Sequence, residues 1–255
     1  MRNPLALTGR RILVTGASSD SDIGRALCLT LADLGARLVL VGRRREPLEE
    51  TRALLPSPDD HIVAAVDLAD LDAIPGWMAR LADDGGPFSG LVHAASVQGY
   101  SPLRRIDRAQ VDRYFTLNVG SGLMLARGLQ RKGVAAVPAA IVFVGSVAGL
   151  TGQKGRALYA ASKAALASAT QTLALELADR EIRVNGVAPG IVAGRRAEQQ
   201  FALLTAEQNA GLKAAHPLGF GQPQDVADAA AFLLSDASRW ITGVMLPLDG
   251  GYLAG

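Results

Sequence analysis

Seven short apolar runs recur along the chain, at residues 11–15, 38–41, 62–66, 90–94, 140–145, 183–187 and 244–248. They are rich in Val, Ile and Leu and do not alternate apolar with polar, the pattern of strands covered on both faces. Longer segments with helical spacing separate them, at 23–34, 46–55, 71–81, 108–130, 157–178, 198–215 and 224–234. Strands alternating with helices predict one parallel sheet with right-handed crossovers and helices on both faces, a doubly wound α/β fold of about seven strands. With no linker, repeat or low-complexity stretch, residues 1–255 read as one domain. A dinucleotide bound to such a sheet sits outside the carboxyl ends of the strands, so the residues that follow each strand are the ones to inspect for chemistry.

Composition narrows the picture. The chain is 49% hydrophobic but only 5% aromatic, so a sizeable core must be built from Ala, Leu and Val. A net charge of +2 with dispersed basic residues argues against a nucleic-acid surface. The single cysteine, Cys28, excludes an internal disulfide and reads as a buried thiol between Leu27 and Leu29. With three histidines scattered along the chain, no metal site is expected. No run approaches the roughly 18 apolar residues of a membrane span, and no secretory leader pattern opens the chain, so a cytoplasmic protein is expected.

The first strand runs into Gly16-Ala-Ser-Ser-Asp-Ser-Asp-Ile-Gly24 and then an amphipathic helix. Strand, glycine-bearing loop and helix N-terminus make a phosphate cradle, with amides and the helix dipole facing the anion; an ordinary βα turn is the plain alternative. Asp20 or Asp22 is expected to cap the helix, facing away from any phosphate. The second strand ends at Gly42, followed by Arg43, Arg44 and Arg45. An acid at this place would hold the ribose hydroxyls of NAD, whereas a glycine followed by guanidinium groups suits a 2′-phosphate. The alternative is a solvated basic turn neutralised by Glu46, Glu49 and Glu50. Asp67, after the third strand, is either a ligand or a helix cap. His93 reads as a hydrogen-bonded structural residue.

The densest signal lies between residues 118 and 163. A buried strand ends at Ser146, Tyr159 follows thirteen residues later, and Lys163 sits one helical turn beyond it on the same face. A hydride arriving at a carbonyl leaves charge on oxygen that must be protonated. Tyrosine, with an ordinary pKa near 10, is too weak an acid unless a nearby ammonium stabilises its phenolate, and a fixed serine hydroxyl can donate to the developing oxyanion.

The loop beginning Thr15-Gly16, the Ser146–Tyr159–Lys163 set, Asn118, and the turn Asn185-Gly-Val-Ala-Pro189-Gly190 together resemble the short-chain dehydrogenase/reductase family across essentially the whole chain, particularly its 3-oxoacyl-carrier-protein reductase-like members. The glycine loop is two residues longer than that family's, with Asp22 at the place of its middle glycine, and Gly194 stands where the family commonly has a threonine.

The resemblance implies a Rossmann-like fold, NADP(H) as cofactor and a homotetramer, with Asn118, Ser146, Tyr159 and Lys163 as catalytic residues. It implies cofactor contacts from Gly16, Ser18, Ile23, Gly24, Arg43, Asp67, Leu68, Ala94, Tyr159, Lys163, Pro189, Gly190 and Val192, and a substrate lid over about residues 195–215. In the family Asp67 contacts the adenine with the following amide, Lys163 holds the nicotinamide ribose and Asn118 holds a water of the proton relay. The expected reaction is reduction of a ketone, a 3-oxoacyl thioester being the leading guess, or its reverse, with Tyr159 as general acid or base. Epimerases that share the Tyr-x-x-x-Lys motif carry a longer C-terminal part, and enoyl reductases space the two residues further apart. A nucleotide-binding sensor or scaffold without turnover is the alternative of another class.

Overall fold

A computed structural model of the chain describes residues 3–202 and 204–255. Seven strands form one sheet: β1 (Arg11–Thr15), β2 (Arg37–Gly42), β3 (Ile62–Ala65), β4 (Phe88–His93), β5 (Ala135–Val144), β6 (Ile182–Pro189) and β7 (Met245–Leu248). Their order is β3-β2-β1-β4-β5-β6-β7 and every pairing is parallel, as both-faces-buried strands require. The helices are α1 (Asp22–Asp33), α2 (Arg45–Ala53), α3 (Ile74–Gly85), α4 (Arg108–Phe115), α5 (Ser121–Leu129), α6 (Ala157–Glu176), α7 (Arg195–Phe201), α8 (Ala206–Ala214) and α9 (Pro223–Leu234). No helix among the described residues is long and apolar enough to cross a membrane, and no group of three or more potential metal ligands converges there.

Successive strand residues feed opposite cores, the consequence of the two-residue period of a strand. Ile12, Val14, Leu38 and Leu40 pack with Leu27 and Leu31 of α1 and with Val226 and Ala230 of α9. Leu13, Val39, Val41 and Leu91 pack with Met78 of α3, Leu125 of α5 and Leu166 of α6. Cys28 is fully buried in the first core, and burial pushes its thiol pKa up. His61 is also structural: it accepts from the Leu38 amide through Nδ1, and its Nε2 lies 2.9 Å from the Pro56 carbonyl.

Three expectations are corrected. The predicted helix 108–130 is two helices, because residues Thr116–Gly120 form a π-helical turn between α4 and α5. The predicted lid helix 198–215 also splits: Thr205 caps a new helix, accepting from the Gln208 amide while Gln208 returns a bond to the Thr205 amide. Neither Asp20 nor Asp22 caps α1. Ser21 does, accepting from the Gly24 amide at 3.2 Å.

Candidate active site

The carboxyl ends of β4, β5 and β6 open onto one cleft with the loop after β1, which supplies Ser21, Asp22 and Ile23 to its wall. Gly16 has φ of +71°, and a Cβ there would lie 2.9 Å from the Ala95 amide. A Cβ on Gly24 would lie 1.8 Å from the Gly16 carbonyl, so only glycine lets α1 start this close to the loop. Thr15 ties the loop to β4: its hydroxyl accepts from the Ala94 and Ala95 amides, both at 3.1 Å. Its proton then goes to His93 Nδ1, 2.9 Å away, leaving His93 Nε2 to donate to Ser121, which donates to the Leu117 carbonyl. Burial first, and the Lys163 charge second, push the His93 pKa down to about 3. His93 is therefore a neutral strut, not a base.

Ser146, Tyr159 and Lys163 line the same part of the cleft as Ile23, Ala94, Pro189, Gly190 and Val192. Ser146 sits immediately past β5, where its hydroxyl accepts from the Ala148 amide at 3.2 Å and hydrogen-bonds Tyr159. Tyr159 and Lys163 lie on the buried face of α6. The Lys163 ammonium donates to the Val144 carbonyl at 2.8 Å and stands 5.8 Å from the Tyr159 ring centre. Burial pushes the Tyr159 pKa up, opposed by the bond to Ser146 and by the charges of Arg156 and Arg196. Burial and the Arg196 charge push Lys163 down to about 7. The charges that oppose the rise at Tyr159 are those of Arg156 and Arg196, and not that of Lys163, from which the spacing leads one to expect it. Arg156 precedes Tyr159 by three residues, one helical turn, and that spacing was the available signal.

Asn118 lies in the π-helical turn and is fully buried. Its amide donates to the Val97 carbonyl at 2.8 Å and to the Ser162 hydroxyl at 2.9 Å, while its carbonyl accepts from the Val97 amide at 2.7 Å. Ser162 in turn donates to the Tyr159 carbonyl at 2.8 Å. Asn118 thus joins the loop after β4 to the helix that carries Tyr159 and Lys163.

Arg43 and Asp67 line a larger hollow of about 990 Å³ that continues from the catalytic end. Of the three adjacent arginines, Arg44 pairs with Asp20 and Arg45 with Glu49, and Glu50 accepts from Ser19. Arg43 has no ion-pair partner among the described residues, so the self-neutralised turn describes its neighbours and not Arg43. Asp67 accepts from the Ala69 amide at 3.0 Å, well ahead of α3, and so caps no helix. Ser18 lies beside Gly42, where a Cβ would come within 3.0 Å of its hydroxyl. The Leu68 side chain is buried in the core and lines none of these cavities.

Asp22, in the place expected of a glycine, points at the start of α7. Its carboxylate accepts from the Arg195 amide at 3.0 Å and faces the Arg195 guanidinium, which also donates to the Ser19 carbonyl at 2.9 Å. Gly194 is what permits this approach: its φ is +137°, and a Cβ there would lie 2.4 Å from the Asp22 carboxylate. The two departures from the expected loop pattern are therefore complementary. Nearby, the Ile191 amide donates to His216 at 3.5 Å and the Ala193 amide to the Gly221 carbonyl at 2.8 Å.

The glycine-bearing loop running into α1, Arg43 and the hollow together suit a long, phosphate-bearing dinucleotide laid across the strand ends. Comparison with known proteins agrees in kind. A family model described as enoyl-(acyl carrier protein) reductase matches residues 16–253. The chain is 34% identical to a D-erythrulose reductase of Gallus gallus over 99% of both chains. It is 31% identical to a 3-oxoacyl-[acyl-carrier-protein] reductase of Rickettsia conorii, over 97% of this chain and 98% of that one. Among solved structures it superposes on one described as a 2-deoxy-d-gluconate 3-dehydrogenase of Agrobacterium tumefaciens with bound NADP, with a TM-score of 0.89 at 29% identity over the whole of both chains.

Proposed function

The chain belongs to the short-chain dehydrogenase/reductase family, oxidoreductases that interconvert alcohols and ketones with a nicotinamide dinucleotide, and from that premise we propose that it carries out the NADPH-dependent reduction of a ketone, or the reverse oxidation. The observation that carries this reading is the convergence of Ser146, Tyr159 and Lys163 on one cleft at the strand ends. Bound NADPH supplies the hydride. The protein supplies the rest. Ser146 holds the carbonyl oxygen by a hydrogen bond as charge develops there. The Tyr159 hydroxyl gives that oxygen its proton, and the charges of Arg156 and Arg196 favour the phenolate left behind, with Lys163 one helical turn away on the same face. Asn118 holds the loop after β4 and α6 in mutual register, and as a relay residue it would work through that position.

For the cofactor, Gly16, Ser18, Ile23 and Gly24 take the pyrophosphate side, and Arg43 takes the 2′-phosphate. Asp67 and the Leu68 amide take the adenine. Ala94, Pro189, Gly190 and Val192 flank the nicotinamide, whose ribose falls to Tyr159 and Lys163. The Val192 amide is the donor we assign to the carboxamide in place of the threonine. The NADP bound to the Agrobacterium relative favours the phosphorylated cofactor.

The description of the matching family model raises enoyl reduction as a second reading. The four-residue step from Tyr159 to Lys163 and the Ser146–Tyr159 hydrogen bond favour a carbonyl. Assembly as a homotetramer is supported by α6, whose outer face presents Ala161, Ala164, Ser168 and Leu175 to solvent, the last 81% exposed. Following NADPH absorbance with 3-oxoacyl thioesters, small keto-sugars and enoyl thioesters tests the reading. Oxidation with a ketone supports it, and oxidation with enoyl thioesters alone overturns it.

A further inference from the structure

We propose that the substrate carries an anionic group, a carboxylate or phosphate, close to its reacting carbonyl, and that Arg156 anchors it. The proposal rests on the ketone-reductase reading above and names the substrate class for that site. Arg156 stands immediately before α6, where a positive charge opposes the helix dipole, so helix stability gives no reason for it. Its guanidinium lies between two aromatic rings, 5.5 Å from the centre of Tyr100 and 5.8 Å from that of Tyr159, with Gln153 accepting from it at 3.4 Å. The planar cation is thereby held beside the ring that transfers the proton.

Arg156 also borders three hollows: the catalytic cleft, the large one toward Arg43, and a third of about 430 Å³ that starts at Ser146 and runs beneath α8. Among the described residues no carboxylate lines this third cavity, whereas Lys154 and Arg156 do. Among the described residues the one carboxylate lining the catalytic cleft is Asp22, engaged by Arg195, while Arg156 and Arg196 add positive charge; the large hollow holds Asp67 and Asp112 together with Arg43 and Arg113. A site holding this much positive charge around a carbonyl discriminates in favour of an anion a few bonds from it.

The test compares 4-oxopentanoate with 4-oxopentanamide, and 4-oxocyclohexanecarboxylate with its carboxamide, in steady-state NADPH oxidation by wild type, Arg156→Gln and Arg156→Lys. The ratio of kcat/KM for acid over amide divides out any change in Tyr159 proton transfer caused by losing a neighbouring charge. We expect a ratio of about 10 to 100 in wild type, the worth of one charge-assisted bond. It should fall to near one in Arg156→Gln through the KM of the acid, and be kept in part by Arg156→Lys. A ratio near one in wild type, or one that Arg156→Gln leaves unchanged, overturns the anion site while any turnover of the amides keeps the reductase reading. Calorimetric binding of cyclohexanecarboxylate and cyclohexanecarboxamide to the NADP⁺-loaded protein reads charge preference without turnover. Selective binding of the carboxylate without oxidation of NADPH by any ketone would remove the reductase reading and leave the anion site, and equal binding of the two would remove the anion site. Repeating the titration with inorganic phosphate tells whether the group is a phosphate.

Discussion

Asn118→Ala is the substitution whose cost the geometry defines best. The side chain is fully buried and makes three hydrogen bonds, two of them to the backbone of Val97. Truncation leaves the half-buried Val97 amide without its partner, while the Val97 carbonyl keeps the Ser96 hydroxyl at 3.3 Å. A buried group left unsatisfied costs about 1–3 kcal/mol, so the lost amide bond together with the small cavity should cost about 1–4 kcal/mol. Against the ~5–15 kcal/mol that holds a domain of ordinary stability together, that is a large share. Ser162 keeps its bond to the Tyr159 carbonyl and loses only the incoming donor, so the loop after β4 should loosen more than α6. Urea unfolding followed by circular dichroism gives the stability change, and turnover measured well below the transition gives the functional one, expected to fall at least ~10-fold because a displaced loop misplaces the reactants. Asn118→Asp should be no milder: it keeps an acceptor for the Val97 amide but sets a carboxylate against the Val97 carbonyl. A loss below about 1 kcal/mol in Asn118→Ala, with turnover intact, would refute the view that this residue joins the two halves of the site.

Arg43→Ala should raise the KM for NADPH by about 10- to 100-fold and that for NADH little, since only the former loses a charge-assisted phosphate bond; a wild-type protein that prefers NADH would refute the role given to Gly42 and Arg43. Lys163 has its pKa depressed from 10.5 to about 7 by burial, so between those values the unfolded chain binds a proton that the folded chain does not. Stability from this group therefore rises with pH across that window and is lowest at pH 7 and below; Lys163→Met should flatten the slope in urea midpoints measured from pH 7 to 10, and an unchanged slope would count against a buried lysine. Light scattering at micromolar concentration should give the mass of four chains, and a stable, fully active monomer would refute the interface assigned to the outer face of α6.

The order of strands and helices was legible because short unbroken apolar runs differ from longer segments with a three-to-four-residue apolar spacing. Ser146, Tyr159 and Lys163 could be found because their chemistry needs a strand end and one helical turn, both visible as spacing. What escaped depends on contacts between residues far apart in the chain. The π-helical turn at Thr116–Gly120 breaks no hydropathy pattern, so 108–130 reads as one helix. Asp22 and Gly194 look like two separate losses until the fold brings them together, 172 positions apart, with the carboxylate receiving the Arg195 amide. Ser21 took the cap expected of an aspartate, leaving Asp22 for Arg195 and Asp20 for Arg44. The spacing from Arg156 to Tyr159 puts the two one helical turn apart, but only the fold brings Tyr100 to the other side of the guanidinium.

The central claim is that Tyr159 moves the proton while NADPH moves the hydride. Tyr159→Phe keeps the ring against Arg156 and removes only the hydroxyl. With a ketone that the wild type reduces, single-turnover decay of NADPH absorbance should slow at least ~100-fold, while the Kd for NADPH, read by its fluorescence, stays within a few-fold. Decay at the wild-type rate, with the cofactor bound equally well, would contradict the account.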